Sequence, residues 1–333
     1  MRERKAFSVI YVEQEAMGRK ETEGILSRFP DAEVIVCGDY HEVFNRRRQS
    51  FSKQHRAPAL ILAVHHGELI HQGSPVCQSF REDCFYYASS IMNCPYDCTY
   101  CWLKGMYESG DLVVFVNLED LFQAVEDMLG EHPVYLCVSY DTDLLAMEPV
   151  TGYASAWSRF AKEHEDLLIE IRTKGYGHLP SSMAVSERTI LAYTLSPARA
   201  AEQFEHRAPA TNQRIENLLE AQKAGFPVRL CFDPVLVYPS WKEDYATLFQ
   251  TLDQKINWES IRDISVGTFR LSSDYMQRMR RQDPTSALLA YPYVCTDGFY
   301  HLPDTIEHEV ETYVTKLCRD RVKEEKIFLW REV

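Results

Sequence analysis

The chain has 333 residues, enough for one large or two modest domains, and with 45% hydrophobic residues it can bury a substantial core. Its 36 basic and 49 acidic residues give a formal charge of −13, which excludes indiscriminate phosphate binding and confines any nucleic-acid contact to local patches. The longest apolar run, 59–64, is too short to span a bilayer and no signal-peptide core follows the charged start, so a cytoplasmic protein with reduced thiols and no membrane contact is expected.

In chain order, residues 7–66 read as a small α/β unit, with a strand at 8–13, a helix at 15–29, and strands at 32–37 and 59–66. The two later strands are continuous β-branched and aliphatic runs, which predicts a sheet covered on both faces. Between them, 45–56 carries five basic residues, Arg46, Arg47, Arg48, Lys53 and Arg56. Such a segment either touches phosphates or forms a solvated loop, and composition leaves both open. From residue 85 the pattern becomes regular, with strands at 85–92, 134–139, 167–173, 190–195, 228–232 and 264–269. Helices near 118–128, 153–164, 211–224, 245–252 and 273–281 lie between or after them. This alternation calls for parallel βαβ units. Six of them predict an α/β fold with a curved, partial (β/α)6 TIM-type barrel over 79–333, preceded by an N-terminal α/β domain over 1–78. Chemistry is then expected at the strand C-termini.

The densest chemical signal lies just behind the first barrel strand, in Cys94-Pro-Tyr-Asp-Cys98-Thr-Tyr-Cys101. Three thiols within eight residues suit one metal centre. A [4Fe-4S] cluster is held by cysteine thiolates, so a loop supplying three of them leaves one iron open to a ligand. Structural zinc would need a fourth ligand, usually from a second C-x2-C knuckle, and none follows. Buried thiols without metal are the remaining alternative.

The C-x3-C-x2-C spacing, with Tyr100 inside it and Trp102 after it, resembles the radical S-adenosylmethionine (SAM) enzymes. There SAM chelates the open iron and is reductively cleaved to a 5′-deoxyadenosyl radical. Further segments are similar to the spore photoproduct lyase family: Leu136-Cys137-Val-Ser139, Arg172-Thr173-Lys174, Tyr193-Thr194-Leu-Ser196, Phe204-Glu205, Arg214-Ile-Glu, Lys223-Ala-Gly225-Phe-Pro227 and Trp241-Lys-Glu-Asp-Tyr245. The resemblance runs from about residue 8 to residue 270. It implies a carbon-carbon lyase that starts repair of a thymine-dimer-type lesion in DNA, with a [4Fe-4S] cluster and SAM as cofactors. DNA carrying a pyrimidine lesion and an electron donor such as flavodoxin or ferredoxin are the implied partners.

Carried over residue by residue, the resemblance implies Cys94, Cys98 and Cys101 as cluster ligands and Cys137 as the donor of a hydrogen atom to the product radical. Ser139, Lys174, Thr194 and Ser196 match positions that hold SAM, and Tyr100 matches a tyrosine beside the cofactor. Two departures stand out. The family's second relay tyrosine is replaced by Trp102, and the basic C-terminal hairpin is replaced by the neutral-to-acidic stretch 290–301, leaving Arg270, Arg278, Arg280 and Arg281 to compensate. A non-DNA substrate on the same chemistry, or a non-catalytic metal-binding role, are the competing readings.

Overall fold

The structure, a computed structural model, describes residues 7–74, 77–175 and 177–330. The N-terminal part runs β1 (Val9–Glu13), α1 (Lys20–Leu26), β2 (Glu33–Cys37), α2 (His41–Phe44), α3 (Phe51–Arg56) and β3 (Leu60–Ala63). The helix expected over 15–29 is two pieces, a 3-10 turn at Gln14–Ala16 and then α1. Gly18, at φ +74°, takes the left-handed conformation that breaks them apart. The expectation that both later strands are covered on two faces holds for β3, which is fully buried. It fails for β2, an edge strand that leaves Val34 and Val36 exposed.

β4 (Ile70–Gln72) pairs antiparallel with β5 (Phe85–Ala88). The strand expected over 85–92 divides at Ser89-Ser90, where the Ser89 hydroxyl donates to Asp141 and the Ser90 carbonyl accepts from Phe115 N at 3.0 Å. Beyond the break, β6 (Ile91–Met92) pairs with β8 (Leu112–Phe115) in the N-terminal sheet, whose order is β2-β1-β3-β8-β6. One short stretch therefore stitches two sheets together, and the cysteine loop lies at the seam with β7 (Asp97–Cys98) and α4 (Leu103–Met106).

The rest continues α5 (Leu118–Leu129), β9 (Val134–Cys137), α6 (Leu144–Thr151), α7 (Tyr153–Glu163), β10 (Leu167–Thr173), β11 (Thr189–Thr194), α8 (Ala198–Phe204), β12 (Glu205–His206) and α9 (Thr211–Ala224). It ends with β13 (Val228–Val235), α10 (Trp241–Lys255), β14 (Ile261–Thr268), β15 (Arg270–Ser272), α11 (Ser273–Gln282), β16 (Val294–Thr296), β17 (Phe299–His301), α12 (Asp304–Arg319) and β18 (Ile327–Leu329). The large sheet has the order β18-β14-β13-β11-β10-β9-β5-β4. Its strands from β5 to β18 are parallel and follow one another in sequence, the arrangement of a partial (β/α)6 barrel with one extra strand. α6 was not foreseen because its apolar face is not periodic. It is fixed instead by its cap, Asp143, which accepts from Ala146 N at 3.0 Å, an interaction worth about 1 kcal/mol.

Side chains alternate along each strand, so residues two apart share the inner face. Phe80, Tyr135, Ile190 and Phe328 plug one end. Above them sits a buried ionic layer. Arg229 Nη2 donates to Asp263 at 2.9 Å, Arg229 Nη1 donates to Glu170 and to the Tyr135 hydroxyl, and the guanidinium lies over the Phe80 ring at 3.1 Å. Nearer the strand C-termini on the same faces come Cys137, Arg172 and Cys231, with Asp233 one step beyond Cys231.

Candidate active site

The cysteine loop is strapped to the barrel by backbone and side-chain bonds. Cys98 pairs with Glu205 in the β7–β12 ladder, Thr99 N donates to Phe204 O at 2.7 Å, and Tyr96 Oη donates to Gly175 O at 3.1 Å. Asn93 anchors the entry by donating to Ser109 O and Asp111 O at 2.8 and 2.7 Å. α4 follows at once and packs so closely on α11 that a Cβ on Gly105 would lie 2.4 Å from Tyr275 Cβ. Only glycine fits there. Arg278 completes the junction by donating to Gly105 O and Met106 O at 3.2 and 3.3 Å.

All three loop thiols are unbridged. Burial pushes each of them up, Cys98 to about 12, while the Lys174 ammonium pulls Cys98 and Cys101 the other way. Thiols this costly to ionise by themselves become thiolates when a metal supplies positive charge, so the donor set fits an iron–sulfur cluster. The buried Thr142 hydroxyl, one residue before Asp143, is without a hydrogen-bond partner among the described residues and so is open to a polar ligand.

Glu205 is the hub of the site. Its Oε1 accepts from the Tyr100 hydroxyl and, at 3.0 Å, from Ser196, and lies 3.9 Å from Lys174 Nζ. Its Oε2 accepts from Arg214 Nη2 at 2.5 Å, with both side chains fully buried. Burial alone would raise the Glu205 pKa, but Arg214 and Lys174, with hydrogen bonds from Tyr100 and Arg214, pull it down to about 2. Arg214 also donates to Thr194 O at 3.3 Å, and Thr211 donates to Ser196 O at 2.8 Å. Tyr100, Lys174, Thr194 and Ser196, inferred separately from sequence, thus share one polar network at the ends of β10 and β11.

Ser139 is set slightly apart. Its hydroxyl accepts from Arg172 N at 2.6 Å, tying the end of β9 to β10 and leaving the hydroxyl proton free to donate. Asp143 fastens the next turn by accepting from Thr173 Oγ1 at 2.8 Å and from Lys174 N at 2.7 Å. Cys137 ends β9 and is buried, and burial raises its thiol to about 12 with Glu170 adding to the effect. Trp102 points toward Tyr140 with ring centres 5.1 Å apart. Tyr140 stacks on Tyr87 at 4.1 Å and accepts a 3.8 Å contact from the Cys77 thiol.

The hairpin at 290–301 exists but is small. β16 and β17 turn through Asp297-Gly298, both at positive φ, the two-residue turn that suits a tight hairpin, and β17 pairs with β15. The arginines expected to compensate for its missing charges are mostly engaged. Arg270 donates to Asp233 at 3.0 and 3.2 Å, Arg278 holds α4, and Arg280 donates to Leu289 O at 2.8 Å and lies over Tyr300. Arg281 alone of the four is exposed.

Sequence reasoning attached no role to Glu205, Arg214, Arg172, Tyr140 or the Asp233–Arg270 pair. Phe204-Glu205, Arg214-Ile-Glu and Arg172-Thr173-Lys174 were the visible signals, but only the fold shows that these fragments converge.

The buried ionic layer makes an acid-stability prediction. Burial would raise Glu170, yet Arg172, Arg229 and the Tyr135 hydroxyl bring it down to about 2 from an ordinary 4.5. A carboxylate depressed on folding contributes stability that is fully present above its unfolded pKa and lost as pH falls through the folded one. Denaturant unfolding followed from pH 7 to pH 3 should therefore show stability falling below about 4.5, and Glu170→Gln should give a lower but flatter curve. Parallel curves would remove Glu170 from that role.

A parallel partial barrel with three cysteines behind its first strand and a polar network at the strand ends is the architecture of the radical SAM class. The family model described as spore photoproduct lyase matches residues 78–284. Among curated relatives, the spore photoproduct lyase of Clostridium acetobutylicum is 20% identical over 217 residues, covering 63% of this chain and 64% of that protein. That of Bacillus subtilis (strain 168) is 21% identical over 189 residues, covering 52% of each. The matched region thus spans about half to just under two thirds of the relatives' length. A solved spore photoproduct lyase double mutant with bound AdoMet and dinucleoside spore photoproduct superposes with a TM-score of 0.80 at 16% identity, covering 98% of each chain. The chain belongs to the spore photoproduct lyase family.

Proposed function

We propose that this chain is a radical SAM lyase that starts repair of a thymine-dimer-type lesion in DNA. The observation that carries the reading is the convergence of the cysteine loop, the Lys174–Tyr100–Glu205–Ser196 network and Cys137 on one end of the parallel sheet. Cys94, Cys98 and Cys101 would hold a [4Fe-4S] cluster, and Lys174, Ser139, Thr194, Ser196 and Tyr100 would line the SAM site. When bound, the cluster and SAM supply a 5′-deoxyadenosyl radical that abstracts hydrogen from the substrate. The same-fold relative holding AdoMet and dinucleoside spore photoproduct supports this assignment of cofactor and substrate class.

The chain's own residues then have defined tasks. Lys174, partly buried near Glu205 and the Tyr100 ring, would meet the SAM carboxylate. Cys137 keeps its S–H at neutral pH because burial holds its pKa at about 12, which suits a hydrogen-atom donor and would not suit a nucleophile. Arg172 sits on the central strand β10, yet its side chain is 33% exposed, so it is open to solvent rather than packed into the core. Its Nε donates to Glu170 at 3.0 Å, which leaves the outer edge of the guanidinium to hydrogen-bond acceptors of the substrate. Trp102, backed by Tyr140, stands where the family's second relay tyrosine would be, and these two with Tyr100 are the candidates for passing a hydrogen atom back toward SAM.

A cytoplasmic setting and a low-potential donor such as flavodoxin or ferredoxin belong to this reading. No described helix is long and apolar enough to cross a membrane. The test is Cys137→Ala in reduced enzyme given SAM and irradiated spore-type DNA. SAM cleavage should continue near the parent rate while restored thymine gives way to side products; unchanged products would contradict the role. A non-DNA substrate is the second reading, favoured by the small hairpin and by the engagement of Arg270, Arg278 and Arg280. It predicts no salt-sensitive DNA affinity.

A further inference from the structure

The segment from α2 to α3 covers the cysteine loop from the side of the N-terminal sheet. Val43 and Phe44 are buried there with Leu103 and Tyr107, and Cys94, Cys101 and Trp102 pack against that cluster. The outer surface of the same segment is mostly basic, with Glu42 its one exposed acid. Arg46, Arg47, Arg48, Lys53 and Arg56 are all exposed, and none forms an ion pair among the described residues. Arg207 joins them by donating from Nη1 to His55 O and from Nη2 to Arg56 O at 2.7 Å. It directly follows β12, the strand paired with Cys98, so this patch is bonded to the cysteine loop. In a chain of net charge −13, six cations gathered beside the cysteine loop with no ion pair among the described residues need a reason.

We propose that the outer face of the α2–α3 segment, with Arg207, is the docking surface for an acidic one-electron carrier protein. The proposal rests on the function proposed above, in which the cluster must be reduced. Electron transfer weakens steeply with distance, so a carrier has to settle close to the cysteine loop. The barrel side of that loop is taken by Lys174 and Glu205, α11 closes over α4 behind it, and the side covered by α2 carries the basic surface. Complementary charge would steer an acidic carrier onto it and fix its orientation. In the step itself the reduced carrier gives up one electron and the oxidised cluster gains it, with no proton moved. Nucleic acid is the other polyanion that such a patch fits, but the residues suited to a lesion, Cys137 and Arg172, lie on the barrel strands rather than beneath the patch.

The test uses the cluster-loaded enzyme and oxidised flavodoxin as the probe, with binding measured by titration calorimetry at low ionic strength. Arg47→Glu with Lys53→Glu should weaken flavodoxin binding about tenfold or more, and the charge-neutral pair Arg47→Gln with Lys53→Gln should weaken it less. Added salt should weaken parent binding and narrow the difference. Reduction of the cluster by reduced flavodoxin should slow in step, while reduction and SAM cleavage driven by dithionite stay at the parent rate. Unaltered flavodoxin affinity in the charge-reversed variant overturns the proposal, and does so decisively if DNA affinity falls instead. Failure of the parent enzyme to cleave SAM with dithionite would count against the proposed function and leave the binding result to judge the docking surface alone.

Discussion

Replacing Cys98 with alanine should give a folded, colourless protein that makes no 5′-deoxyadenosine from SAM under reducing conditions. The change removes one sulfur and nothing else that holds the loop. Its backbone pairing with Glu205, the Thr99 N to Phe204 O bond and the Cys101 N to Cys98 O bond at 3.2 Å all persist. The stability cost is therefore that of a small buried truncation, about 1 kcal/mol. Two thiols cannot fix a cluster that draws on three, so iron content and cleavage should vanish together. The matched control is Cys318→Ala, which removes a buried thiol from α12, outside the cysteine loop, and should keep the colour. A Cys98→Ala protein that retains iron and still cleaves SAM would show that the loop is not the cluster site.

The second large effect is expected at Glu205. Its carboxylate answers Arg214, Lys174, Tyr100 and Ser196 at once, and neither it nor Arg214 touches solvent. Glu205→Gln keeps the shape but leaves the Arg214 guanidinium buried without an anion. Removing one partner of a buried pair costs about 3–5 kcal/mol. Denaturant unfolding should show a loss of that order, and SAM affinity should fall because Tyr100 and Lys174 lose their common anchor. Glu205→Asp, which restores the charge at shorter reach, should recover part of the stability. A change below about 1 kcal/mol for Glu205→Gln would mean that the pair is solvated and the network looser than its geometry implies.

Much of the barrel was legible because its strands are short apolar runs bounded by amphipathic helices. The strand at 167–173 and the helix at 211–224 fall at the predicted limits. Failures came where local pattern and tertiary pairing disagree. The run 85–92 is uniformly strand-like, and nothing in it announces that its two halves join different sheets. α8 and α12 lie outside the predicted helices; both start straight after a proline, Pro197 and Pro303, with no side-chain cap. The three cysteines were visible because metal ligands cluster in sequence. The Glu205 network was not, because its members come from the cysteine loop, the ends of β10 and β11, β12 and α9, and only the parallel sheet brings them together.

The proposed chemistry needs three cysteines holding a cluster whose remaining iron is open to SAM. Its most direct test is the electron paramagnetic resonance spectrum of anaerobically prepared, dithionite-reduced protein, recorded with and without SAM. The expected result is the signal of a reduced [4Fe-4S] cluster, from about four irons per chain, that changes on addition of SAM. A silent, iron-free protein, or a cluster signal indifferent to SAM, would contradict it.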